Sequence, residues 1–249
     1  MSELTFSNMD GEPEIFDTIQ GEGRYIGRPV VFARLSNCNL QCSWCDTPYT
    51  WAFNEKRASK HDEGKVYDKK QEQTKVEVGD AIDIINGYEI KRLVITGGEP
   101  LMQQPSIIEL AQGLRDANED YWVEVETNGT IAPKPELVEV VDQFNVSPKL
   151  ENSGNLLNKR LKPEALKKFV ETGKADFKFV VSRTEDIKEI LSIVDESGMP
   201  SDRVFLMPEG RTEEEVETHQ KILVDLAKEH NFNVTTRLHV LIWGAKRGV

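Results

Sequence analysis

Apolar residues gather in short runs, and between the runs they recur every three or four positions, so strands alternating with helices are predicted before any chemistry is considered. After a polar start, Val30 to Leu35 (VVFARL) is a compact run of strand length. Similar runs follow at Arg92 to Thr96, Trp122 to Thr127, Phe144 to Ser147, Asp176 to Val181 and Arg203 to Pro208. Helical spacing fills the gaps at Val76 to Tyr88, Pro105 to Asn118, Pro135 to Val141, Pro163 to Glu171 and Glu185 to Glu196. A last helix, Glu213 to His230, precedes the apolar stretch Leu238 to Trp243. Such units, joined by right-handed crossovers, predict an α/β fold: one parallel sheet of about six core strands, curled into an incomplete TIM-like barrel. Residues 1–249 read as one domain. Ala52 to Lys75 breaks the pattern, being rich in Lys, Glu, Asp and Gln, and reads as an inserted loop or mobile excursion.

The unusual polar residues fall just after the strands. Cys38 follows the first, and Thr96-Gly97-Gly98-Glu99-Pro100, Thr127-Asn128-Gly129, Ser147-Pro148-Lys149, Ser182 and Pro208-Glu209 follow the others. The strand C-terminal face of such a barrel carries the active site, so these residues are expected around one mouth.

Composition narrows the partners. Forty-three acidic against 31 basic side chains give a net charge of -12, which disfavours long-range attraction to a phosphate backbone, and no nucleic-acid partner is expected. Neither an apolar stretch of about 18 residues nor a basic and then apolar N-terminus is present, so no membrane partner and a cytoplasmic location are expected.

All three cysteines lie between positions 38 and 45, and an odd number packed so closely makes no disulfide framework. In Cys38-x3-Cys42-x2-Cys45 each thiolate can bind one iron of a cubane, and the fourth iron is left for the amine and carboxylate of a small molecule. The alternative is a zinc site of Cys3His type with His61 or His239 as fourth ligand, although zinc motifs usually pair and repeat their cysteines.

Cys38-Asn39-Leu40-Gln41-Cys42-Ser43-Trp44-Cys45 resembles the CxxxCxΦC signature of radical S-adenosylmethionine (SAM) enzymes. Ile95-Thr96-Gly97-Gly98-Glu99-Pro100 resembles the GGEP motif of the same superfamily. Adjacent glycines let backbone approach a ligand closely, and Glu99 offers a carboxylate to an ammonium group. The resemblance implies the radical SAM fold, a 4Fe-4S cluster on Cys38, Cys42 and Cys45, and S-adenosyl-L-methionine as cofactor. It implies Trp44 near the adenine and Gly98 and Glu99 at the methionine end. Ser147, Pro148 and Lys149 follow further round the barrel, with Lys178 and Ser182 as additional contacts.

Ile15-Phe16-Asp17-Thr18-Ile19-Gln20-Gly21-Glu22-Gly23, then Arg34, then Cys45-Asp46-Thr47, is similar to the family of 7-carboxy-7-deazaguanine synthases, as is the stretch Leu238 to Val249. Members convert 6-carboxy-5,6,7,8-tetrahydropterin into 7-carboxy-7-deazaguanine, contracting a ring and losing ammonia on the route to 7-deazapurines such as queuosine. This likeness implies substrate contacts from Ile19, Gln20, Gly21, Glu22, Arg34 and Thr96, and Mg2+ on Thr47. It also implies a flavodoxin or ferredoxin as reductant and a homodimer. An amide, a turn and a carboxylate suit the edge of a pterin, and Arg34 suits its carboxylate. Glu126 and Asn128 read equally as site support or strand-end capping, and His239 and Lys246-Arg247 as site elements or a fraying terminus. Two other readings stay open: an activase that installs a glycyl radical on a partner protein, and a zinc-stabilised interaction module.

Overall fold

The computed structural model describes residues 2–249. Its strands are β1 (Glu3–Met9), β2 (Glu12–Pro13), β3 (Ile15–Ile19), β4 (Pro29–Leu35), β5 (Gln73–Glu77), β6 (Arg92–Gly97), β7 (Trp122–Thr127), β8 (Gln143–Val146), β9 (Ala175–Val181), β10 (Val204–Pro208) and β11 (Asn233–Val234). They form one sheet in the order β11-β10-β9-β8-β7-β6-β4-β1-β2, with β3 paired to β4 and β5 to β1. From β4 through β6, β7, β8 and β9 to β10 every pairing is parallel, which is the six-stranded core that the alternation implies. The order has two ends, so the barrel is incomplete.

Burial on both faces explains the continuous apolar runs. In β9 all seven residues are buried. Phe177, Phe179 and Val181 point outward into the helix-packed core, whereas Lys178 and Val180 line the cavity inside the barrel. The covering helices present matching stripes: Gln104–Ala117 buries Ile107, Leu110, Ala111 and Leu114, with Pro105 in its first turn, where a missing N–H does no harm. Helix Glu213–His230 starts on a reciprocal capping box between Thr212 and Glu215 and stops at Asn231 in the left-handed region. Among the described residues no helix is long and apolar enough to cross a membrane.

The polar start adds strands to the six of the core: β1, β2 and β3 widen the sheet antiparallel to β4 or to each other, with Leu4 and Phe6 of β1 fully buried. Of the two readings of segment 52–75, the structure shows an inserted loop that packs on its neighbours. Trp51, Ala52 and Ala58 bury together against Tyr67, Cys38 and Cys45, and residues 73–75 open β5, which runs beside β1 from Ser7↔Gln73 to Glu3↔Glu77. Too few apolar residues mark this segment for any periodicity, yet two small side chains and one indole suffice to seat it. The following helix accordingly begins at Val78, and Leu238–Trp243 is a short helix.

Candidate active site

The two motifs meet through their backbones. β4 ends at Leu35, and Asn37, with a left-handed φ of 73°, turns the chain into the cysteine loop. β6 ends beside it: Gly98 N–H donates to the Leu35 carbonyl at 3.0 Å and Glu99 N–H to the Asn37 carbonyl at 2.8 Å. A Cβ on Gly97 would strike the Leu35 backbone, and one on Gly98 the Asn37 carbonyl. The paired glycines are therefore demanded by the packing of the cysteine loop itself.

Cys38, Cys42 and Cys45 are unpaired thiols on the wall of one cavity of about 440 Å³, among residues from the C-terminal ends of the parallel strands. Burial pushes all three thiols up, Cys42 to about 12, so only coordination to a metal centre would leave them as thiolates at neutral pH. Each sulfur already faces an N–H donor: Leu40 N–H on Cys38 at 3.4 Å, Asn155 Nδ2 on Cys42 at 3.3 Å and Trp51 Nε1 on Cys45 at 3.3 Å. Three soft sulfurs, each met by a donor that favours its anionic form, fit an iron-sulfur cubane. The zinc reading lacks a fourth ligand. His61 donates from Nε2 to the Cys45 carbonyl at 2.7 Å and accepts at Nδ1 from Glu63 N–H at 3.2 Å, which engages both ring nitrogens. His239 stands against Gly21 and within 3.9 Å of Glu22.

A buried charge network fills the opposite wall. Glu22 accepts from Lys178 of β9 and, at 3.0 Å, from Arg237 Nε, while Arg237 also donates to Asp46 and to the Gly210 carbonyl. Burial would raise the Glu22 carboxyl, but Lys178, Arg237 and His239 together outweigh it and hold the group far below the usual carboxylate range. Burial lowers His239 despite Glu22, so its imidazole is neutral at neutral pH. Beside this network Glu14 accepts from Arg34 Nε at 2.9 Å, from Tyr49 Oη at 3.2 Å and from Arg247 at 2.7 Å. Arg247 stacks 3.7 Å over the Tyr49 ring and reaches Glu72, so the C-terminal stretch is docked and not frayed. Arg34 lies on the cavity wall, and its two terminal nitrogens hold no hydrogen bond among the described residues.

Most residues expected from the sequence reach this cavity. Ile19, Gln20, Gly21, Glu22, Trp44, Thr47, Thr96, Gly98, Ser147, Lys149 and Lys178 all line it. Lys149 Nζ sits 5.6 Å over the Trp44 ring and donates to Ser147 Oγ at 2.7 Å, and Thr96 Oγ1 donates to Glu126 at 2.8 Å. Thr47 Oγ1 is 3.6 Å from Cys45 Sγ. Among the described residues no three His, Cys, Asp or Glu side chains converge on one ion, so a Mg2+ on Thr47 would draw its other oxygens from substrate and water.

Other expected residues are engaged or stand back from the cavity. The Glu99 carboxylate is fully buried and accepts from Leu101 N–H, Thr127 Oγ1 and Asn128 N–H. Pro148 and Ser182 lie off the cavity wall, and Ser182 N–H instead donates to Asp186 at 3.0 Å. Lys178 is committed to Glu22, and the Gln20 amide to Glu124 at 2.6 Å. Sequence reading missed Arg237 and Asn155, which only chain return brings to the cysteine loop and its cavity, and Tyr49 and Trp51, which follow Cys45 directly but sit in no motif. Arg211 closes the rim of the cavity by pairing with Glu63 of the insertion at 2.7 Å.

Beneath the cavity, Glu124 of β7 is fully buried and takes two donors on one oxygen, Gln20 and Asn145, each at 2.6 Å, while its other oxygen has no partner. Burial, aided by Glu126, raises its pKa to about 8, so it holds a proton at pH 7. Between pH 4.5 and 8 the folded chain keeps that proton and the unfolded chain has lost it, so stability falls as pH rises across this window. The loss is roughly 4 kcal/mol over the whole interval. Glu124→Gln is expected to flatten this slope and to melt higher than the parent at pH 8, which thermal melts at pH 5 and pH 8 would check.

Comparison with known proteins places residues 34–223 under the model of the radical SAM superfamily. The chain is 39% identical to the 7-carboxy-7-deazaguanine synthase of Pyrobaculum aerophilum over 94% of its own length and 95% of that protein. It is 34% identical to the synthase of Hyperthermus butylicus over 92% of its length and 91% of that protein. Its fold matches the crystal structure of QueE from Escherichia coli with a TM-score of 0.66 at 25% identity, covering 95% of both chains.

Proposed function

Because the chain belongs to the radical SAM superfamily, and within it to the 7-carboxy-7-deazaguanine synthase family, we propose that its cavity seats a carboxylated tetrahydropterin on Arg34 opposite SAM on the Trp44 side. The enzyme is a lyase that uses a 4Fe-4S cluster, SAM and Mg2+ to make 7-carboxy-7-deazaguanine with loss of ammonia. When bound, the reduced cluster supplies the electron that opens SAM and starts the radical reaction. The protein's part is placement and the exclusion of water, since a stray hydrogen donor would quench an alkyl radical.

The open terminal nitrogens of Arg34 carry the reading. Glu14 holds the guanidinium by Nε, so the remaining fork faces the cavity as a bidentate partner for the substrate carboxylate. Glu22, kept ionised by Lys178 and Arg237, is placed to accept from the N–H edge of a pterin. Trp44, Ser147 and Lys149 cradle the adenosyl part, the Gly98 backbone meets the methionine end, and Thr47 offers its hydroxyl to Mg2+. No side chain is required as nucleophile. On the family likeness we extend the reading to a single working domain over 1–249, a cytoplasmic homodimer, and a flavodoxin or ferredoxin as electron donor.

The test is anaerobic turnover of reconstituted, dithionite-reduced enzyme with SAM and 6-carboxy-5,6,7,8-tetrahydropterin, with and without Mg2+. A deazaguanine product that diminishes without Mg2+ is expected, and no such product, with SAM cleaved only when a second protein other than an electron donor is added, would favour the activase. Arg34→Lys is expected to raise KM about 10- to 100-fold, since a hydrogen bond to a charged group contributes about 1.5–3 kcal/mol. A KM unchanged from the parent's would remove Arg34 from the substrate.

A further inference from the structure

Segment 52–75 lies outside every motif, yet it and the loop at 152–155 grip the cysteine loop from two sides. From the insertion side, Trp51 is 1% exposed and donates Nε1–H to Cys45 Sγ at 3.3 Å. Arg57 donates to the Cys38 carbonyl at 2.8 Å and also faces the Trp51 ring, 5.8 Å from its centroid. His61 donates to the Cys45 carbonyl at 2.7 Å, and its ring meets Trp51 edge-on. Asp62 N–H donates to the Ser43 carbonyl at 3.0 Å. From the other side, Ser43 N–H donates to the Ser153 carbonyl at 3.1 Å. Asn155 accepts from Gln41 N–H at 2.9 Å and donates Nδ2–H to Cys42 Sγ at 3.3 Å. Of the three sulfurs, two are thus met by side-chain N–H donors from outside the cysteine loop, and one by the loop's own Leu40 N–H.

We propose that Trp51 and Asn155 are positioning residues that set the reduction potential of the cluster through their hydrogen bonds to Cys45 and Cys42, with residues 52–67 of the 52–75 insertion as the scaffold that fixes Trp51. This rests on the reading that the three thiols hold an iron-sulfur cluster. A donor on a ligating sulfur draws off negative charge, and the reduced cluster carries one electron more than the oxidised, so each donor stabilises the reduced form more and raises the potential. Removing a donor therefore makes the cluster harder to reduce. Neither side chain needs to touch SAM or substrate for this.

The test compares Trp51→Phe and Asn155→Ala, both neutral changes, with the parent and with Trp122→Phe as control. The control removes a different indole, half-buried where Trp51 is fully buried, whose Nε1 has no partner. Iron and acid-labile sulfide are measured first in each reconstituted protein, and a mediated dithionite titration followed by electron paramagnetic resonance then gives the midpoint potential. We expect a fully loaded Trp51→Phe or Asn155→Ala protein to show an approximately tenfold less favourable reduction equilibrium, about 59 mV more negative for a one-electron couple. Trp122→Phe is expected to keep the parent value. Loaded variants at the parent potential, or a control that shifts as far as they do, overturn the tuning and leave the cluster ligands intact. If one variant fails to load, the other decides. A parent protein that takes up no iron and sulfide overturns the cluster reading itself.

Discussion

Cys42→Ala is expected to eliminate cluster and turnover together while the barrel stays folded. The side chain lies in the loop after β4, outside the apolar core that packs sheet against helices, so its removal takes little from the fold. Its loss nevertheless leaves one iron of a cubane without a protein ligand and Asn155 without its sulfur acceptor. The expected result is a protein with the parent's far-ultraviolet dichroism and a melting temperature within a few degrees, no visible absorption after anaerobic reconstitution, and product below detection. Retained turnover would falsify the role of the thiols in holding the cofactor.

Glu22→Ala is expected to produce the largest loss of stability of any single change at the mouth. Lys178 and Arg237 are nearly buried and both donate to this one carboxylate, so its removal leaves Lys178 with only Glu126, 3.9 Å away, and Arg237 with Asp46 as its remaining anion. Breaking such a pair costs about 3–5 kcal/mol, because the surviving charge keeps its desolvation penalty. For a chain of this size that corresponds to a fall in melting temperature of about 10 °C, readable by calorimetry. Activity should fall as well, since Arg237 would lose one of its three tethers and the segment leading to His239 would loosen. The same pairing gives a pH signature. The Glu22 carboxyl is depressed, so its contribution is present above its unfolded value of 4.5 and is lost progressively as pH falls below it. Glu124 acts in the opposite sense, weakening the fold as pH rises toward 8. Stability should therefore be greatest on the acidic side of neutrality. A melt at pH 5 no higher than at pH 8 would contradict the Glu124 assignment, and a melt that does not fall below pH 4.5 would contradict that of Glu22.

The sequence by itself determined the six parallel strands, the helices between them and the thiol triad, because each is written in local terms. Periodicity reports which face of an element is buried, and short cysteine spacing forces three sulfurs into one loop. The Gly97-Gly98 turn was legible too, although its packing reason emerges only where Leu35 and Asn37 approach it. Tertiary structure alone decided which polar groups remain free. Glu99 and Gln20 look like ligand contacts in a string of letters but are taken by Thr127, Asn128 and Glu124, partners 28, 29 and 104 positions away. Arg237 and Asn155 carry no motif and gain their roles only when distant segments converge on the mouth. A residue's type states what it can bond to, whereas the folded chain decides which of those bonds are already made.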